Sequence, residues 1–269
     1  MELMVSYQKA KELSKEEIGN KAYNLLQLYP QFLIPKGIII PVKAAQYIKK
    51  TIDKEILQEK LESAVEDIKA VAFSVRSSTT CEDSRNYSFA GQFLTKCGVS
   101  YTELADACME VISSPEKAKV QRYADYAGQH AVADIAILIQ EMLPCDVSGI
   151  MFTKNPVSQE KGEIIIEAIF GTGEYIVSGI VNPDHIEAAK GKKRYNYTRG
   201  NQEKGLFLRG SKLEERVVMN TEPVLQKYQI FELMQQGIQI ERFFGVPQDI
   251  EWGIVKNEIY ILQTRPITT

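Results

Sequence analysis

The sequence is poor in the residues on which many catalytic and metal-binding motifs depend. It has two histidines, His130 and His185, four cysteines, Cys81, Cys97, Cys108 and Cys145, and one tryptophan. No two cysteines form a C-x-x-C pair, and the two histidines complete no zinc constellation. So few cysteines in so long a chain argue against a disulfide framework and fit the reduced thiols of a cytoplasmic protein. Excess positive charge is also absent. The net charge is −3, which gives no basic field for nucleic acid or an anionic membrane. No apolar run approaches the ~20 residues needed to span a bilayer. The polar start, MELMVSYQKAKELSKEE, does not read as a signal peptide. No G-x-x-x-x-G-K-[ST] occurs, which excludes a P-loop, and GTGEYIVSG lacks the third glycine of a dinucleotide fingerprint. If the protein binds anions, it does so with a few focused cations in a cleft.

What is present is ordinary globular material. Apolar residues make up 44% and charged residues 25%, enough in 269 residues for one large domain or two small lobes with a sizeable core. Helix-like and strand-like patterns alternate, which predicts an α/β or α+β fold. KAYNLLQLY after Gly19 reads as a short helix, and KGIIIPV as a buried strand. Leu57, Leu61, Ala64, Val65 and Ile68 recur at helical spacing, and AVAFSV follows as a strand ending near Arg76. Leu104, Cys108, Val111 and Ile112 mark another helix, which Pro115 separates from a third. From Ile135 the texture turns to strands: IAILIQEML, SGIMFT and EIIIEAIF. Ala188 to Gly205 is the most loop-like stretch. A long helix is predicted from about Pro223 to Phe244, with Thr221 as N-cap and Gly245 as stop. The end, QDIEWGIVKNEIYILQTRP, reads as a hairpin around a polar turn.

Three clusters carry chemistry: Lys21 in IGNKAYNL, Arg76 in AVAFSVRSSTTCEDSRNYSFAGQF, and Glu251, Gln263 and Arg265 in the closing hairpin. Residues i and i+2 of a strand face the same side, so Gln263 and Arg265 point together, and antiparallel pairing can bring Glu251 beside them. A carboxylate and an amide oxygen suit Mg²⁺, and a guanidinium suits a phosphate. The same residues read equally as a surface salt bridge between Glu251 and Arg265. Arg76 reads either as an ordinary strand end or as a cation aimed at phosphate, with small residues around Gly91 letting backbone approach it.

Five segments together resemble one family. They are IGNKAYNLLQLYPQFLIPKGIIIP, AVAFSVRSSTTCEDSRNYSFAGQF, ILIQEMLPCDVSGIMFTKNP, AIFGTGEYIVSG with NPD, and FGVPQDIEWGIVKNEIYILQTRPIT. In this order, over nearly the whole chain, they are similar to the nucleotide-binding domain of phosphoenolpyruvate synthase, pyruvate phosphate dikinase and rifampin phosphotransferase. The resemblance implies an α+β, ATP-grasp-like fold of two lobes, residues 1–142 and 143–269, clamping ATP between them. It implies that Lys21 and Arg76 bind phosphates and that the loop with Gly91 and Gln92 covers them. Gln140, Glu141 and Met142 would form the hinge beside the adenine, and Glu174 a ribose or hinge contact. Glu251 and Gln263 would hold Mg²⁺, and Arg265 would contact the transferred phosphates.

The chain also departs from the family. The stretch between Lys21 and Arg76 is shorter than usual, and QTRPIT is not followed by the swivelling domain with its catalytic histidine. Neither His130 nor His185 lies in such a motif. The expectation is therefore an ATP-dependent phosphotransferase domain or subunit that phosphorylates a histidine on a partner chain or on a domain missing here, for transfer to a small-molecule acceptor. A self-sufficient kinase or ligase and a non-catalytic nucleotide-binding module are the alternatives.

Overall fold

The structure is a computed structural model that describes residues 2–79, 83–84, 87–88, 94–114, 134–219 and 221–267. The chain divides into two compact units. Unit 1 comprises Met1–Gln27, Pro35–Met142 and Gly210–Lys212. Unit 2 comprises Leu28–Ile34, Leu143–Arg209 and Leu213–Thr269. Among the described residues, no helix is long and apolar enough to cross a membrane.

Unit 1 is built from β1 (Val5–Ser6), α1 (Tyr7–Ala10), α2 (Lys15–Leu28), β2 (Gly37–Ile40), α3 (Val42–Thr51), α4 (Lys54–Val65), β3 (Phe73–Thr79), β4 (Asp83–Ser84), β5 (Tyr87–Ser88), β6 (Thr95–Val99), α5 (Leu104–Ser113) and β7 (Ile135–Glu141). Five strands form an antiparallel sheet in the order β1-β2-β7-β3-β6, while β4 and β5 pair with each other. One sheet face is apolar: Ile38, Ile40, Phe73, Val75, Val99, Ile135, Ile137 and Ile139 pack with Ala45, Ile48, Leu57, Leu61, Leu104, Cys108 and Val111 of α3, α4 and α5. The alternation of strands β3 and β7 turns Ser74, Arg76, Ser78, Leu138 and Gln140 to the other face. There α2 lies close on β3. Gly19 interrupts α2 with φ +71° and ψ 167°, and a Cβ on it would fall 2.3 Å from the Ser78 carbonyl. Glycine is the residue that admits both the approach and the backbone angle.

Unit 2 contains β8 (Val147–Phe152), β9 (Glu163–Phe170), α6 (Glu174–Val177), β10 (Asp184–Ala189), β11 (Tyr195–Thr198), β12 (Lys204–Arg209), β13 (Lys212–Val217), α7 (Lys227–Phe244), β14 (Gln248–Val255) and β15 (Glu258–Pro266). Six strands run in the order β11-β10-β9-β8-β14-β15, and β12 pairs with β13. All five strand pairings in the six-stranded sheet are antiparallel. Its core face carries Ile164, Ile166, Met151, Ile250 and Trp252, with the buried Ile230, Leu233, Met234 and Ile240 of α7. Two glycines allow this packing. A Cβ at Gly149 would lie 2.5 Å from the Trp252 ring, and one at Gly237 of α7 would lie 2.8 Å from Met151 Sδ.

Three expectations need correction. Arg76 does not end its strand. β3 continues to Thr79, and Ser77, Ser78 and Thr79 are buried while pairing with Ile137, Ala136 and Ile135 of β7. The long helix starts at Lys227, capped by Gln226 in a reciprocal capping box with Gln229, and not at Thr221. The preceding residues are held elsewhere: the Val224 N–H donates to the buried Asp184 carboxylate at 2.9 Å. Ala188 to Gly205 is also more than loop. Tyr195–Thr198 forms β11 against β10, and the Tyr197 hydroxyl donates to Asp184. The third helix after Pro115 falls outside the described residues.

Candidate functional site

In unit 1 the candidate cations converge from two elements. Lys21 is buried in the first turn after the Gly19 break. The Ala22 N–H beside it donates to Ser78 Oγ at 3.1 Å. Ser78 thus caps that helical turn from across the fold, and it shares a sheet face with Arg76, two residues before it. Arg76 is half-buried in the middle of β3, opposite Leu138.

The residues expected to form a hinge are fastened inside unit 1. Gln140 is buried and pairs with both Gly37 and Ser74. The Lys36 N–H donates to Glu141 Oε1 at 2.7 Å, while the Glu141 N–H donates to the Lys36 carbonyl at 2.8 Å. The Met142 N–H donates to Ala72 O at 2.8 Å, and the Gly98 N–H donates to Met142 Sδ at 3.0 Å. These bonds tie the end of β7 to its neighbours. Gly91 and Gln92 lie outside the described residues, as does His130.

In unit 2 the closing hairpin forms as its alternation predicts. Its two-residue turn, Lys256–Asn257, has positive φ at both positions, which matches the twist of paired strands. Glu251 lies directly opposite Gln263, and Asp249 opposite Arg265. A bulge falls between these pairs and the next, Trp252–Ile261, so that Leu262 is the extra residue. The bulge allows Ile261 to enter the core while Gln263, two residues on, shares a face with Glu251. Arg265 donates from Nε and Nη2 to Asp249 Oδ2, at 2.8 and 2.7 Å. Asp249 is thus an ion-pair partner of Arg265 that the sequence reading did not name. Asp249 was missed, although it precedes Glu251 by two residues and the strand period places it on the same face.

Further along this cross-strand row, Ile150 faces Glu251, Glu167 faces Ile150, and His185 faces Glu167. The His185 ring stands between Glu167 and Glu187, 3.7 and 3.6 Å away. Glu174 opens α6 with one buried carboxylate oxygen that has no hydrogen bond among the described residues. Its charge, after burial, helps push the nearby Cys145 thiol up to about 12.

The α+β architecture is the expected one, and comparison with known proteins gives it a class. A family model described as "Pyruvate phosphate dikinase, AMP/ATP-binding domain" matches residues 42–269. A probable phosphoenolpyruvate synthase of Archaeoglobus fulgidus is 37% identical over 212 residues, covering 76% of this chain and 28% of that protein. The rifampicin phosphotransferase of Bacillus subtilis is 30% identical over 270 residues, covering 95% of this chain and 28% of that protein. Among solved structures, D-alanine–D-alanine ligase from Bacillus anthracis complexed with ATP aligns with a TM-score of 0.37 and 10% identity, over 90% of this chain and 54% of that one. The chain spans under a third of the length of these two curated relatives. By class it is a nucleotide-binding domain. It belongs to the pyruvate phosphate dikinase AMP/ATP-binding domain family.

Proposed function

We propose that the chain binds Mg²⁺-ATP and passes a phosphoryl group to a histidine outside these residues, on a swivelling domain, for delivery to a small-molecule acceptor. The observation that carries this reading is the cross-strand pair of Glu251 and Gln263 with Arg265 fixed beside it by Asp249. Glu251 offers a hard anionic oxygen and Gln263 a neutral one. Two protein oxygens fit Mg²⁺, which keeps its other positions for phosphate oxygens and water. When bound, the metal neutralises charge on the phosphates. Arg265 presents a pre-oriented fork of N–H donors. Lys21 and Arg76 of unit 1 are further cations of the kind that bind phosphate. In phosphoryl transfer, positioning and electrostatics do most of the work, and these residue types suit that task.

The acceptor histidine is assigned elsewhere because His185 sits within β10, an inner strand of its sheet, between two carboxylates. Its backbone is paired with Glu167 on one side and Thr198 on the other, which fixes it within the sheet. The test is calorimetry and thermal denaturation with Mg²⁺-ATP, followed by labelled ATP with and without a swivelling-domain partner. Binding should raise the melting temperature, and acid-labile label should appear on the partner. Absence of both heat and thermal shift at millimolar Mg²⁺-ATP would refute nucleotide binding. Stoichiometric label on His130 or His185 would instead make the chain its own phosphocarrier.

A further inference from the structure

The bulge divides the closing hairpin into two parts whose registers rest on different forces. Before it, Ile259 and Ile261 are buried and pair with Ile254 and Trp252, so the apolar pattern fixes the pairing. Past it, β15 consists of Gln263, Thr264, Arg265 and Pro266. Alternation turns Thr264 and Pro266 to the core face, but Pro266 is exposed. This part of β15 therefore anchors no apolar side chain in the core. A slip of one residue would carry Gln263 away from Glu251 and Arg265 away from Asp249.

What occupies the core face here is a polar cluster. Thr264 Oγ1 donates across the strands to Gln248 Oε1 at 2.9 Å. Gln248 Nε2 donates to the Val246 and Pro247 carbonyls at 3.1 and 3.3 Å. The Gln248 main chain exchanges bonds with Thr153: its N–H donates to Thr153 Oγ1 at 2.8 Å, and its carbonyl accepts the Thr153 N–H at 2.9 Å. Gln248 and Thr153 are wholly buried, and Thr264 is nearly so. Apolar residues of the same shape would be about as stable in such a place. Hydrogen-bonded polar residues in a core are best attested as selectors of one register. Each partner also adjoins a member of the ion pair: Gln248 precedes Asp249, and Thr264 precedes Arg265.

We propose that Thr264 and Gln248 are positioning residues, whose hydrogen bond holds the register that sets Arg265 on Asp249 and Gln263 opposite Glu251. The proposal rests on the Mg²⁺-ATP reading above and adds to it the residues that keep its groups aligned.

The test replaces the bond by apolar packing, in the full chain. Thr264→Val alone leaves Gln248 Oε1 without this donor and should lower the melting temperature. Thr264→Val with Gln248→Met removes both partners and should restore it, since Pro247 O keeps the Ile267 N–H and Val246 is open to water. Mg²⁺-ATP should bind this double variant about fivefold to tenfold more weakly, as for a register occupied roughly a tenth to a fifth of the time. Adenosine should bind as before. The ¹⁵N resonance of the Arg265 Nε–H should be single in the wild type and split or broadened in the double variant. Thr264→Ser, which keeps the hydroxyl, should match the wild type in both respects. A double variant with restored stability, full ATP affinity and an unchanged Arg265 resonance would make the cluster merely structural and overturn the proposal. A Thr264→Ser variant that binds Mg²⁺-ATP as weakly as the double variant would overturn it too, because the hydroxyl would not be the cause. A wild-type chain that fails to bind Mg²⁺-ATP refutes the parent reading, and the arginine resonance then decides the register claim alone.

Discussion

The two units hold their polar candidate residues in opposite ways. In unit 2, Glu251, Gln263, Asp249 and Arg265 project from one face of a hairpin whose other face is core. Register alone brings them together, and they lie within a short stretch of chain. In unit 1, Lys21, Arg76 and Gln140 come from distant segments and sit partly or wholly buried. Their placement depends on helix caps and close backbone approach. A hairpin face can therefore change its chemistry at little structural expense, whereas the buried cluster ties chemistry to stability.

The sharpest way to break the hairpin side is to insert one alanine between Glu251 and Trp252, opposite Leu262, which removes the bulge while keeping Leu262. Without the bulge, strict alternation would place Ile261 and Gln263 on the same face, so either an isoleucine leaves the core or an amide enters it. Stranding a polar group in that core costs on the order of 1–3 kcal/mol, and the displaced isoleucine adds to it. A urea midpoint that did not move would mean that the bulge is not what fixes the register.

Glu251→Gln tests chemistry without packing. The side chain is half-exposed on the non-core face, so the melting temperature should hold. Mg²⁺-dependent ATP turnover, measured with the acceptor domain present, should fall by at least the ~10–100-fold that loss of an outer-shell partner costs a metal site. AMP affinity should change little. Equal loss of AMP and ATP binding would assign Glu251 a structural role.

The contrast also explains what could be read from the sequence. The hairpin was legible because alternation, a polar turn and the 251/263/265 spacing are all local. Its bulge was not, and neither was the Asp249–Arg265 partnership, since both depend on the exact register. Arg76 was placed at a strand end because SST has the composition of a loop. Those hydroxyl residues are strand because β7 pairs with them and because Ser78 finds its partner 56 residues away at Ala22. Thr221 had the right chemistry for a cap, but the segment after it is docked on Asp184. Nothing in local sequence foretells such bonds.

Ser78→Ala sharpens the unit 1 side. It removes the acceptor for the Ala22 N–H, and loss of a helix cap costs about 1 kcal/mol. Because the same turn carries Lys21, Mg²⁺-ATP affinity should drop together with the melting temperature, in contrast to Glu251→Gln. Lost stability with full ATP affinity would separate Lys21 from the cap and weaken the claim that this unit couples the two.

The smallest expected effect compares how readily the units open. Among the described residues each holds one buried free thiol: Cys108 in α5 of unit 1, and Cys145 at the start of unit 2, where a Cβ on Gly253 would meet its Sγ at 2.5 Å. Burial raises both pKa values, Cys145 to about 12, with the charges of Glu174 and Asp146 adding to its shift. At pH 8 only roughly one Cys145 in ten thousand is then thiolate, the form that reacts. Of the three described cysteines, native labelling followed by peptide mass spectrometry should modify the half-buried Cys97 first and leave both buried thiols untouched on that timescale. Over longer times the residual rates report local opening. Mg²⁺-ATP should slow labelling at Cys108 and Cys145 alike if one nucleotide stabilises both units, and protection of only one thiol would confine the nucleotide's stabilising effect to that unit. Labelling of Cys145 as fast as Cys97 would contradict its packing against Gly253 at the base of the hairpin.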